Sequence, residues 1–125
     1  MEIDSYYIRN LCVRFPQLED NEKTKLDVKQ KWYDLSGQKK RDIEEFCKDL
    51  TAMANALGPD GNIIIGIDEK KGEFIDSPFR HSNLKDTADL QNLVVKRIEK
   101  PLHFDIEQVK LDKEQVTISI IKVLR

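Results

Sequence analysis

Five residues, Ile63-Ile64-Ile65-Gly66-Ile67, set the terms on which this chain can fold. The run is too short for a helix and almost wholly β-branched, which predicts a strand over Asn62 to Ile67 covered on both faces, hence the centre of a sheet. Gly66, without a Cβ inside that strand, predicts a bulge or a close approach by another backbone or a ligand. Asp68 and Glu69 follow at the strand's carboxyl end, where open α/β sheets often place their chemistry. Upstream, Ile43, Phe46, Cys47, Leu50, Ala54 and Leu57 recur at three- and four-residue steps, the spacing of one apolar helix face. A helix is expected from about Lys39 to Leu57. Gly58, Pro59 and Asp60-Gly61 then end it and reverse the chain.

The other elements arrange themselves around this pair. Asp4 or Ser5 is placed to cap a short helix whose face is Ile8, Leu11, Cys12 and Phe15, and Pro16 stops it. Lys23 to Trp32 alternates, with Thr24, Leu26 and Val28 on one face and Lys25, Asp27, Lys29 and Lys31 on the other, which predicts a strand with one wet, charged face. Lys70-Lys71-Gly72-Glu73 reads as a hairpin turn leading to a short strand at Phe74 and Ile75. Asp86 or Thr87 caps a helix carrying Leu90, Leu93, Val94 and Ile98, and Pro101 ends it. Leu102, Phe104 and Ile106 alternate, as do Val116, Ile118 and Ile120, giving a hairpin across Asp112-Lys113-Glu114. The fold class is α/β or α+β, a mixed sheet packed with about three helices.

At 125 residues this is one domain's worth of chain. Its division is expected as an N-terminal helix and loop over 1–20 and a compact domain over 21–125, with a module cut from a longer protein as one reading. The net charge of -2 gives no global excess of lysine, but it hides an asymmetry. Between Lys23 and Arg41 seven basic residues, Lys23, Lys25, Lys29, Lys31, Lys39, Lys40 and Arg41, face only Asp27 and Asp34, a local charge of +5. Cys12 and Cys47 occupy apolar helix positions and read as reduced core residues. The N-terminus lacks a leader pattern, and no stretch reaches the roughly 18 apolar residues of a membrane span, so the expectation is a cytoplasmic protein without membrane contact.

Several chemistries are excluded by pattern. Neither a Gly-x4-Gly-Lys-Ser/Thr loop nor a Gly-x-Gly-x-x-Gly fingerprint is present, and the two histidines and two cysteines lack zinc-ligand spacing. His81 and His103 stand alone. Carboxylates remain: Glu22 and Asp27 flank the start of the lysine-rich strand, and Asp68 and Glu69 end the central one. Mg²⁺ or Mn²⁺ prefers oxygen ligands and activates water for phosphodiester hydrolysis, so Glu22, Asp27, Asp68 and Glu69 form a candidate metal set if they converge. The alternative is four solvated strand-end charges. Lys23, Lys25, Lys29 and Lys31 are candidate phosphate contacts, against a plain solvated strand face. Trp32 and Tyr33 either stack on bases or fill a core edge.

The joint order of motifs carries more than any one of them. Glu-Lys-Thr-Lys-Leu-Asp-Val-Lys from Glu22, then Thr-Ala-Met-Ala-Asn-Ala, a glycine turn, Ile-Ile-Ile-Gly-Ile-Asp-Glu and later Ile-Glu-Lys-Pro-Leu resembles the Schlafen AlbA-like domain, also labelled divergent AAA or DNA-binding. That family shows Glu-Ser-x-x-Leu-Glu-Phe-Lys, then Ala-x-Ala-Asn-Thr-x-Gly-Gly, then a hydrophobic strand ending Gly-Val-Asp-Asp. The resemblance spans about Asn21 to Val123. It implies an α/β fold that pairs with a second copy or a fused domain, a role on RNA or DNA, and in some members a metal-dependent endoribonuclease site of three acids. Those acids fall on Glu22, Asp27 and Glu69, with Asp68 beside the third, Lys29 at the family's lysine and Asn55 at its asparagine; for Asn55, hydrogen bonding within the glycine turn competes with a ligand role. Asp27 replaces a glutamate, Val28 a phenylalanine, and Gly58-Pro59-Asp60-Gly61 a tighter turn. Two readings follow. One is a nucleic-acid-binding domain with a Mg²⁺- or Mn²⁺-dependent endoribonuclease site; the other is a non-catalytic dimerisation or protein-interaction module fused to an effector.

Overall fold

The computed structural model describes residues 3–19, 25–56, 60–98 and 102–124. Glu22, Lys23, Thr24, Leu57, Gly58, Pro59 and Pro101, on which parts of the sequence reading rest, lie outside the described residues. The elements run α1 (Ser5–Arg14), β1 (Leu26–Lys29), α2 (Lys40–Asn55), β2 (Gly61–Ile65), β3 (Ile67–Asp68), β4 (Glu73–Phe74), α3 (Thr87–Val95), β5 (His103–Leu111) and β6 (Val116–Leu124). Short 3-10 turns at Phe15–Gln17 and Phe79–Ser82 join them.

β1, β2, β6 and β5 form a mixed sheet in that order, with β1 parallel to β2 and the other pairs antiparallel. The isoleucine strand is internal, as its composition demands. Ile63, Ile64 and Ile65 are all fully buried because both faces are covered. On one face Ile63 and Ile65 meet Phe46, Leu50 and Met53 of α2 and Leu90 and Val94 of α3. On the other, Ile64 joins Ile118 and Ile120 against Ile8, Leu11, Cys12 and Phe15, the side chains of α1 and the turn that follows it. Asp4 caps α1 by accepting from the Tyr7 amide (2.9 Å), and Asp86 caps α3 by accepting from the Asp89 amide (3.0 Å).

Several boundaries differ from expectation. β1, expected over Lys23 to Trp32, ends at Lys29, where the chain bends, and α3, expected to carry Ile98, ends at Val95. The strand read as continuous to Ile67 breaks at Gly66, which takes φ +121°. Its amide still donates to the Lys29 carbonyl (2.8 Å), but its own carbonyl accepts from Ile75 (2.8 Å), so the chain leaves the β1 ladder there and pairs β3 with β4. β5, expected only to Ile106, continues to Leu111 in register with Val116, because Val109 and Leu111 pack into the α1 side of the core.

The connection from β1 into α2 is held by Asp34. Its Oδ1 accepts from the Ser36 amide (3.1 Å), the Ser36 hydroxyl (2.7 Å) and Asn83 Nδ2 (2.9 Å), while its amide donates to Asp42 Oδ2 (2.8 Å) in the first turn of α2. Hydrogen bonds from Asn83 and Ser36 lower its carboxyl pKa to about 2. A depressed pKa contributes stability that is fully present above the unfolded value of about 4 and is lost as pH falls toward 2. Asp34→Asn is therefore expected to flatten the pH dependence of urea stability across that window. An unchanged slope would show that the loop does not couple to folding.

Candidate functional site

Alternation in β1 put Lys25, Asp27 and Lys29 on one face, and the register decides what that face meets. Asp27 lies opposite Ile63 and Lys29 opposite Ile65, so both side chains point to the α2 side. The expected wet face is instead partly covered by a helix. Lys25 Nζ donates to the Met53 carbonyl (2.7 Å) in the last turn of α2, where the helix dipole favours a cation. Lys29 Nζ sits 3.5 Å from Asp27 Oδ2 and 3.3 Å from Asp49 Oδ2. Asp49 Oδ2 also accepts from the Tyr33 hydroxyl (2.7 Å), and the Lys29 ammonium lies 5.8 Å from the Tyr33 ring centre.

Electrostatics follow from this packing. Burial lowers the Lys29 pKa, but the charges and hydrogen bonds of Asp27 and Asp49 outweigh it and hold the ammonium above its ordinary value. Burial, reinforced by the bond to Asp49, pushes the Tyr33 phenol far above its usual range, so it remains a protonated donor. With two carboxylates on one ammonium, the Lys29 cluster carries a net negative charge. Trp32 and Tyr33, at 5% and 7% exposure, fill the core edge. Trp32 Nε1 donates to the Ser77 carbonyl (3.0 Å), and its ring meets Phe79 edge-on. Lys31 is exposed in the bend that follows β1, and Asn55 is exposed at the end of α2.

Asp49 was not singled out from the sequence, although a signal exists. It stands three residues after Phe46 and four before Met53, on the flank of the apolar stripe of α2, where a carboxylate must find a partner.

The carboxylates at the end of the central strand are placed differently. Asp68 is buried, and its Oδ1 accepts from the amides of Lys70 and Lys71 (both 3.1 Å), closing the β3–β4 turn. Its charge raises the Cys12 thiol pKa, second to burial. Glu69 follows in the turn, half-buried. Asp27 and Asp68 are bonded to separate partners, and among the described residues, which leave out Glu22, no three His, Cys, Asp or Glu side chains group around one point. Cys12 and Cys47 are free thiols, Cys12 buried and Cys47 half-buried. No helix among the described residues is long and apolar enough to cross a membrane.

A mixed four-stranded sheet with a parallel β1–β2 edge, two helices on one face and one on the other, defines an α+β domain. The family model described as Schlafen, AlbA_2 matches residues 22–124, and the chain belongs to that family, one associated with nucleic acid. No curated protein matches the chain.

Proposed function

We propose that this chain is a nucleic-acid-binding module of the Schlafen AlbA-like family in which Asp27 and Asp68 serve the structure. The observation that carries this reading is the pairing of both carboxylates with donors of the protein itself. Asp27 is bound to Lys29, and Asp68 to the turn amides. A Mg²⁺- or Mn²⁺-dependent endoribonuclease using Glu22, Asp27 and Glu69 with Asp68 is the finer reading that family membership raises.

Binding and cleavage of labelled structured RNA and of duplex DNA, at two salt concentrations, with Mn²⁺ and with chelator, separate the two. The expected result is salt-sensitive binding, as phosphate contacts require, with no metal-dependent cleavage. Metal-dependent cleavage by the wild type that Glu22→Ala abolishes while retaining the fold would overturn the non-catalytic assignment and place the nuclease site. Neither binding nor cleavage would move the assignment to a protein-interaction module, as a homodimer or beside a fused domain.

A further inference from the structure

Of the strand lysines that the sequence offers as phosphate contacts, Lys25 and Lys29 are engaged internally and Lys31 is exposed, and a second cationic surface lies elsewhere. A groove of about 570 Å³ lies between the start of α2 and the residues after α3, lined by Gly37, Lys40, Ile43, Glu44, Cys47 and Arg97. Its floor is apolar: Ile43 is buried and Cys47 half-buried. Its lining carries two cations, Lys40 and Arg97, and one carboxylate, Glu44. Lys40 stands on α2 between exposed Lys39 and Arg41, and Arg97, one residue past the cap of α3, lines the same groove.

These cations are far less compensated than Lys29. Lys40 reaches Glu44 only at 3.9 Å with both side chains largely exposed, a pair that adds little, and Arg97 has no ion-pair partner among the described residues. Arg97 Nη1 donates to the Leu93 carbonyl (3.2 Å), which holds the guanidinium near the groove while leaving other donors for an anion. The rim and floor together match the two parts of a nucleotide. Ammonium and guanidinium groups bind phosphate, and an apolar floor beside a guanidinium plane accepts an unpaired base. A duplex shows such a floor only phosphates and base edges.

We propose that single-stranded nucleic acid binds along the groove between Lys40 and Arg97, its phosphates on those two cations and an unpaired base against Ile43 and Cys47. This rests on the nucleic-acid reading of the preceding subsection. The test compares wild type, Lys40→Glu/Arg97→Ala and Lys25→Met for binding of a labelled single-stranded oligonucleotide and its duplex, with circular dichroism as the fold control. A carboxylate at position 40 sits at the helix end that favours negative charge, so the fold is expected to survive the reversal.

The expected result is preference for the single strand, a loss of about tenfold or more in the double variant, and a salt slope shallower by roughly 1.4, two contacts at about 0.7 each. Lys25→Met is expected to bind as the wild type does. Alkylation of Cys47, followed by peptide mapping with buried Cys12 as internal reference, is expected to slow when the oligonucleotide is bound. Wild-type affinity in the folded double variant, unprotected Cys47 or equal binding of the duplex overturns the groove assignment while leaving a nucleic-acid-binding protein. Absence of binding by the wild type overturns both.

Discussion

Gly66→Val is expected to yield no cooperatively folded protein, and Gly66→Ala to cost about 4 kcal/mol or more, a size reserved for backbone strain and overpacking. The reason lies in two independent demands at one residue. Its φ of +121° is a conformation that side-chain-bearing residues rarely adopt. A Cβ there would also stand 2.7 Å from the Ile75 carbonyl oxygen and 2.7 Å from Ile118 Cδ1. The isoleucine methyl can turn away, but the carbonyl cannot, because Ile75 is held by its own amide bond to the Gly66 carbonyl (2.8 Å). Adding a side chain thus forces apart the junction at which β2 leaves β1 and turns into the β3–β4 hairpin. Against a total stability of about 5–15 kcal/mol, that loss is large. Urea denaturation of the alanine variant is the direct measurement, and a change below about 0.5 kcal/mol would show that the junction relaxes without a glycine.

The same junction shows what could be read in the sequence and what could not. The isoleucine run announced an internal strand, and Gly66 a close approach, because both follow from local chemistry. The approaching group, Ile75, was not legible, since it arrives through a turn whose geometry depends on Asp68 accepting two amides. In β1, alternation separated Asp27 and Lys29 from Leu26 and Val28 correctly. It could not say which face a helix would cover, for that is decided by the parallel register with β2 and by where α2 crosses. The charged face was expected to be wet, and it is instead half-covered, with Lys29 paired to Asp27 and Asp49 beside Tyr33. Asp49 is some twenty residues downstream, and only tertiary packing unites the cluster. The family was legible because it rests on motif order along the chain. Convergence of the acids was not, because sheet order and side-chain direction settle it.

Removal of residues 3–19 is expected to abolish cooperative folding of the remainder, although the family match begins only at residue 22. The matched region does not by itself cover its sheet. Ile64, Ile118 and Ile120 have no exposed surface in the intact protein, and they form one cluster with Ile8, Leu11, Cys12 and Phe15. Full burial of each large apolar side chain is worth about 1.5–3 kcal/mol, so losing Ile8, Leu11 and Phe15 alone removes about 5–9 kcal/mol, comparable to the stability of a whole domain. The bared isoleucines would also form a contiguous apolar patch, a surface on which copies associate. Arg9 clamps the helix to the β5–β6 turn through two bonds to Glu114, at 2.8 and 3.0 Å, but this part-exposed pair fixes orientation more than it adds stability. Urea unfolding and sedimentation of the shortened chain are the measurements. A monomer with a cooperative transition within about 1 kcal/mol of the intact protein would show that the sheet face closes without α1. Loss of the transition, or association through the uncovered face, would establish the first helix as half of the core's enclosure.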